Sequence, residues 1–260
     1  MAYVISALHF VWETAEECLE RATGEFGLDG VELSLHANYR RPHCTEADLA
    51  WLAEAAPKGV HLSAHIWENL AQLGPERGAT ALLGWLPVCQ RVGIGNLIIH
   101  GGSHANQREG IRLTRQTLAA VLPAFERAGV VLNLENHYPY GYRNCQELFS
   151  EVWEFREVLT LNSPSLRFCF DTGHGNMSKN GIELIRELAP WLAYVHLADN
   201  GGVDDDHCGF RQGTTDWDGY LAAFREVGFA GTFCVGSSRC VTTTNPSAAA
   251  WPSCAGSRTS

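Results

Sequence analysis

Apolar runs of strand length that end in a histidine, aspartate or glutamate recur along this chain, and a stretch of helical pattern separates each from the next. HLSAH ends in His65, NLIIH in His100, VVLNLEN carries Glu135, LRFCFD ends in Asp171, and LAYVHLAD carries His196 and Asp199. Apolar runs with little alternation read as strands covered on both faces, the situation of parallel strands joined by crossover helices. The β/α unit repeats about eight times with no linker. Such a chain either closes into a barrel or lies open as a doubly wound sheet. An open sheet gathers its functional residues at one switch point, whereas a barrel collects them from the C-terminal ends of nearly all strands. The polar residues here follow the second distribution, and no glycine-rich dinucleotide fingerprint follows the first strand. The expected fold is therefore α/β, a (β/α)8 TIM barrel, which typically takes roughly 250 residues; the chain has 260.

Boundaries follow from local signals. The first strand is read at Tyr3 to Leu8, and Thr14 caps the helix that Gly27 ends. GVELSL, the second strand, carries Glu32 and leads to His36. Thr45 caps the next helix, which Pro57 and Gly59 stop, and VHLSAH is the third strand. Helical spacing runs from Pro75 to Val92, where Pro87 is expected to kink or divide the helix. Further helices are expected at about Gln107 to Ala128, with Gly129 as its stop, Gln146 to Leu159, Ile182 to Leu188 and Trp217 to Val227. HYPYGY reads as an aromatic loop suited to covering a polar ligand, and GTFCV is the eighth strand.

A net charge of -10 disfavours a duplex-DNA partner, which calls for a basic footprint. No window approaches the roughly 20 apolar residues of a membrane span, and the N-terminus shows no signal peptide. The 9 cysteines form no C-x-x-C pair, so a cysteine-zinc site is not supported. A cytoplasmic location with reduced thiols is the expectation.

The stretch LRFCFDTGHGNMS organises the candidate site. Its strand delivers Asp171, and Gly173 and Gly175 are read as opening a loop with His174 between them. Glu135, Asp171 and His196 come from adjacent strands five, six and seven, so their tips can converge on one divalent ion. Carboxylates with an imidazole suit Mn2+, Mg2+, Co2+ or Zn2+. His65, His100, Asp205 and His207 are candidate additional ligands; for Asp205 and His207 a solvated acidic loop is an equal alternative. His174, Asn136 and Arg211 read better as contacts to a polyol or phosphate. Glu32 is either a polar residue of the barrel interior or a partner for a substrate hydroxyl.

The order His65, His100, Glu135-Asn136, Asp171-x-x-His174, His196-x-x-Asp199 and Asp205-x-His207 resembles the xylose-isomerase-like barrel superfamily over about residues 3 to 235. That group holds sugar phosphate isomerases and epimerases, ketose 3-epimerases, dehydratases and abasic-site endonucleases. In its ketose epimerases one ion is held by a glutamate on strand five, an aspartate on six, a histidine on seven and a glutamate on eight. The first three fall on Glu135, Asp171 and His196. The resemblance implies proton transfer next to a carbonyl, through an enediolate, on a small-molecule sugar or sugar phosphate. Glu135 would be one acid/base group. No nucleic-acid or membrane partner is expected, and a homo-oligomer is compatible with the sequence. The alternatives are a dehydratase or lyase on the same barrel, a three-zinc abasic-site endonuclease, and a ligand-binding barrel with no activity.

The departure is at strand eight. Where the pattern has a glutamate, this chain has Gly236, and residues 236–260 lack helical periodicity. Residues 1–235 are therefore read as the barrel domain and 236–260 as an irregular tail, with the final helix missing or disordered. Permitted codons allow a shifted frame, from the third base of the Gly236 codon, to read ELKVRDDYQPK, which opens with a glutamate. The tail is thus compatible with an out-of-frame reading, and the chain as written is expected to be weakly active or inactive.

Overall fold

The computed structural model describes residues 1–10, 13–35 and 45–236. His36 and the tail from 237 onward, with the expectations attached to them, lie outside these residues. Eight parallel strands close a barrel: β1 (Ala2–Ser6), β2 (Gly30–Ser34), β3 (His61–His65), β4 (Asn96–Ile99), β6 (Val131–Glu135), β9 (Leu166–Asp171), β10 (Leu192–Leu197) and β11 (Thr232–Val235). Each pairs with its neighbour in this order, and β11 returns to β1. Three short strands, β5 (Ser103–His104), β7 (Gly141–Tyr142) and β8 (Cys145–Glu147), form a separate antiparallel sheet after β4 and β6.

Successive strand residues face opposite sides, and this alternation builds two cores. Leu132, Leu134, Phe168, Phe170, Val195 and Phe233 join the large layer between sheet and helices. Val4, Ile98, Cys169, Tyr194 and Cys234 plug the barrel interior. Each fully buried Phe or Leu of this kind stabilises the fold by roughly 1.5–3 kcal/mol. Polar residues of the inward series emerge above the plug: Glu135 lies beside Cys169 in register, Asp171 beside His196, and His196 beside Cys234.

The helices are α1 (Ala15–Glu20), α2 (Glu46–Glu54), α3 (Leu70–Val92), α4 (Gln107–Ala128), α5 (Val152–Leu159), α6 (Thr172–Ser178), α7 (Gly181–Glu187) and α8 (Trp217–Glu226). Thr14 caps α1 in a reciprocal box with Glu17, and Thr45 caps α2 through Asp48 N. Gly129 ends α4 in the left-handed region (φ 68).

Three expectations change. Inside α3 the break is at Gly74 (φ 72, ψ 176) rather than at Pro87; the run from Pro75 to Val92 starts where the sequence places it, and a short helical piece capped by Asn69 precedes it. The segment from Gln146 begins as strand β8, and α5 starts only at Val152. Residues 172–178, read as a loop because of their glycines, form α6, since Asp171 Oδ1 accepts the His174 N–H at 2.7 Å as an N-cap.

No helix among the described residues is long and apolar enough to cross a membrane. Among the described residues, Cys89, Cys145, Cys169 and Cys234 are free thiols.

Candidate metal centre at the barrel mouth

A cavity of about 370 Å³ opens at the C-terminal ends of the strands, within the roughly 300–1,000 Å³ of small-molecule sites. Glu135 stands at its centre and uses both oxygens. Oε1 lies 2.8 Å from His196 Nδ1, and Oε2 lies 3.0 Å from His100 Nε2 and 3.2 Å from His65 Nε2. His65 and His100 approach each other at 3.2 Å through their Nε2 atoms. Asp171 Oδ2 is 3.9 Å from His196 Nδ1. Burial alone would raise the Glu135 pKa, but His196, His100 and His65 together hold it well below the ordinary carboxylate value. It is therefore ionised at neutral pH.

A second cluster lies on the β11 side. Asp205 Oδ2 is 3.4 Å from His174 Nε2 and 3.2 Å from His207 Nε2. His207 Nδ1–H donates to the Gly236 carbonyl at 2.5 Å. Burial opposes protonation of His174, yet Asp171 and Asp205 raise its pKa to about 10, and Asp205 likewise raises His207 to about 9. Asp205 Oδ1 is buried and has no hydrogen-bond partner among the described residues.

The sequence-derived candidates divide by position. Glu135, Asp171, His196, His65, His100, His174, Asp205, His207 and Glu32 all line the cavity. Asn136 does not. It is fully buried and locks the strand end beneath the site: Oδ1 accepts the Asp171 N–H at 2.6 Å, and Nδ2 donates to the Asp171 carbonyl at 3.1 Å. Its own carbonyl accepts from His174 Nδ1–H at 2.7 Å, which turns His174 Nε2 toward Asp205. Arg211 stands apart from the cavity, exposed, with its guanidinium on Asp218 at 2.6 Å. It lies in NGGVDDDHCGFRQGTTDW, the longest irregular stretch, whose Gly, Asp and His content reads as functional; of that stretch Asp205 and His207 reach the cavity lining.

The lining also includes Trp67, Glu68 and Glu147, which sequence reasoning did not single out, and His137, the first residue of the HYPYGY loop read as covering a ligand. Trp67 stacks on His65 with ring centroids 4.2 Å apart. His137 stacks on Tyr138 and packs tilted against His174, with both centroids at 4.6 Å, and Tyr138 and His174 are 5.4 Å apart. The position of His137 right after Glu135-Asn136 was the available signal. Phe149, with φ 69, lays its ring over Gly101, where a Cβ would fall 2.0 Å from it, so only glycine fits at that point of the rim. Neither lysine nor arginine occurs among the described lining residues.

The donor set fits a divalent cation. His65 with His100 and Glu135, and Glu135 with Asp171 and His174, each bring ligand atoms within 4.8 Å of one another. Carboxylate oxygens and imidazole nitrogens so placed favour borderline or hard divalent ions. Position 236, at the top of β11, offers no side chain to this set.

Residues 21–251 match the family model of the xylose isomerase-like TIM barrel. An uncharacterized protein of Methanocaldococcus jannaschii is 28% identical over 122 residues, which span 46% of this chain and 41% of that protein. Among solved structures, a D-tagatose 3-epimerase-like protein superposes with a TM-score of 0.77 at 20% identity, covering 92% of this chain and 91% of its own. An L-ribulose 3-epimerase gives 0.73 at 21% identity, with 91% and 82% covered. The IolI protein with a bound zinc atom gives 0.75 at 18% identity, with 92% and 90% covered.

Proposed function

Because the chain belongs to the xylose isomerase-like TIM barrel family, we propose that it is a divalent-metal-dependent isomerase or epimerase of an unphosphorylated sugar. The observation that carries this reading is Glu135, ionised among three imidazoles in a cavity whose described lining has no Lys or Arg. A phosphorylated sugar would meet carboxylates there without a fixed cation to offset its charge. A neutral polyol is recognised by hydrogen bonds, which the carboxylates and imidazoles supply. The structurally similar epimerases, which share only the fold level of identity, point the same way.

Glu135, Asp171 and His196 would hold the ion. When bound, a divalent cation supplies Lewis-acid polarisation of a carbonyl and its neighbouring hydroxyl. Glu135, ionised, accepts the proton from the carbon beside that carbonyl and returns it. His174, fixed through Nδ1 by the Asn136 carbonyl and facing Asp205 through Nε2, would share its Nε2–H between Asp205 and a substrate hydroxyl. Trp67 and His137 supply flat surfaces for the carbon skeleton. A single carboxylate suffices for a proton shift between neighbouring carbons on one face. Inversion at one carbon calls for a second group on the opposite face, and Gly236 stands where the family pattern has it. The chain as written thus suits one-face proton exchange better than efficient epimerisation.

The test is proton exchange in D2O. The protein, loaded in turn with Mn2+, Mg2+, Co2+ or Zn2+, is incubated with free ketoses and aldoses, and deuterium at the carbon beside the carbonyl is read by NMR. Metal-dependent exchange with a free sugar is expected. Exchange with phosphorylated sugars alone would refute the substrate class, and none with any sugar would refute the reaction.

A second reading has its own observation. Glu135 joins the His65–His100 pair to the His196 side, and Asp205 joins His174 to His207, which suits several zinc ions, as an abasic-site endonuclease would hold. The net charge of -10 opposes it. Metal analysis separates the two: about one ion per chain for the sugar enzyme, about three zinc for the nuclease.

A further inference from the structure

We infer that Glu32 is a positioning residue that fixes the tautomer of His196, rather than a contact for substrate. The inference rests on the proposed metal reading of the site and adds to it the group that orients one ligand. Glu32 is 1% exposed and sits mid-strand in β2, in register with Ser6 of β1 and Ser63 of β3. Its Oε2 lies 2.8 Å from His196 Nε2, while the other ring nitrogen, Nδ1, lies 2.8 Å from Glu135 Oε1. Glu32 Oε1 is 4.0 Å from His65 Nδ1, too long for a hydrogen bond, so His196 is its strong partner.

An ionised carboxylate only accepts hydrogen bonds, so each ring nitrogen facing one carries a proton unless a cation takes its place. The two sides of His196 differ in what surrounds them. Nδ1 faces Glu135 and, at 3.9 Å, Asp171, two carboxylates at the open end of the barrel. Nε2 faces a single carboxylate, Glu32, with the His65 ring close by, and the ring also touches the Cys169 and Cys234 thiols of the plug. A cation is better neutralised on the Nδ1 side. The Nε2–H then stays on Glu32, which holds the ring plane and increases the basicity of Nδ1. Carboxylate–histidine–metal relays of this kind typically change metal affinity 10–100-fold. The rival arrangement places the cation between Glu32, His65 and His196, whose ligand atoms also fall within 4.8 Å of one another. It would use Nε2 and leave the proton on Nδ1.

Two measurements test the inference. In the zinc-loaded protein, 15N-resolved NMR of the His196 ring, identified by its loss in His196→Gln, should show Nε2 protonated and Nδ1 not. The reverse would overturn the inference. Calorimetric titration with Co2+ should show Glu32→Ala weakened about 10–100-fold, with Glu32→Gln, which keeps an acceptor for Nε2–H, retaining most of the affinity. In a His196→Ala background the Glu32→Ala change should cost almost nothing further, because its effect passes through that ring. Unchanged affinity in Glu32→Ala, or an equal loss in both backgrounds, would overturn the assignment. Should Glu32→Ala fail to fold, the NMR result and Glu32→Gln decide the matter. A wild-type chain that binds no cobalt overturns the metal reading itself and this inference with it, whereas normal wild-type binding with an indifferent Glu32→Ala overturns this inference alone.

Discussion

Replacing Gly236 by glutamate should strengthen metal binding and raise proton-exchange activity. The substitution is sterically permitted. A Cβ at this position would lie 3.6 Å from His207 Nδ1, 3.7 Å from the Leu197 carbonyl oxygen and 3.9 Å from His207 Cε1, all ordinary van der Waals contacts. Gly236 is absent from the residues with positive φ, so the backbone accepts a side chain without strain. Along β11, Cys234 faces the barrel interior, and position 236 follows it on the same face, at the cavity. Residues that merely support a ligand change metal affinity about 10–100-fold, so a direct oxygen donor should gain at least that much. A second acid/base group on the face opposite Glu135 should add about 10²–10⁴-fold to inversion at carbon. The assay pairs calorimetric titration of Mn2+ or Co2+ with NMR of ketose epimerisation, using Gly236→Gln as a control that matches the size but not the charge. The difference in melting temperature between metal-loaded and chelated protein should also widen in Gly236→Glu. A folded Gly236→Glu with wild-type affinity and wild-type exchange rates would refute the idea that position 236 is where the fourth ligand belongs. A gain would support reading the residues from 236 onward as an out-of-frame tail, which the gene's nucleotide sequence tests directly.

Asp171→Ala should remove stoichiometric metal and also destabilise the protein by about 0.5–2 kcal/mol through loss of the α6 cap. Asp171→Asn should keep the cap and lose most of the metal affinity; unchanged metal content in either variant would sink the assignment. His174→Ala should weaken turnover or sugar affinity more than metal retention, and a fall in the measured ion count would instead favour the multi-zinc reading. Burial, reinforced by His174 and His100, pushes the His137 pKa down to about 3. Between that value and the ordinary one near 6.5 the unfolded chain binds a proton that the folded chain does not, so stability falls with falling pH, by at most about 1.4 kcal/mol per pH unit. His137→Gln should flatten this part of the curve in urea unfolding between about pH 4 and 7, and an unchanged slope would exclude His137 as its source.

The barrel was legible because strand ends in this chain are marked chemically. A carboxylate or imidazole at the end of an apolar run has few places to go except the mouth. That logic located Glu135, Asp171, His196, His65 and His100. It also found the caps at Thr14 and Thr45, where a hydroxyl precedes a helical pattern. It failed where local composition and tertiary context disagree. Gly173 and Gly175 read as breakers, yet the Asp171 cap and the burial of Thr172 to Asn176 hold them in α6. Glu147 was hidden in a segment with helical residues that pairs as β8 with Ser103 across the rim. Trp67 and Glu68 stand just past β3, where nothing local shows which way the chain turns. Arg211 was assigned by charge in a functional loop, and charge says nothing of direction: its partner is Asp218, on the surface.

The small sheet at the rim has a kinetic consequence. Leu148 N–H donates to the Gly102 carbonyl at 3.0 Å, Glu147 N–H to that of Tyr140 at 2.8 Å, and His137 N–H to that of Phe149 at 3.0 Å. The first of these, with the pairing of Ser103 and Glu147, ties the segment after β4 to the segment after β6, and the other two fold the latter segment, which carries His137 and Glu147, onto itself. The β6 side of the entrance can swing outward as a unit only by releasing that tie, and can unfold only by breaking its own two bonds as well. In native-state hydrogen exchange the Leu148 amide should therefore open no less readily than those of His137 and Glu147. Ligand exchange past this part of the rim should follow release of the tie, a two-state gate, rather than the independent flicker of two loops.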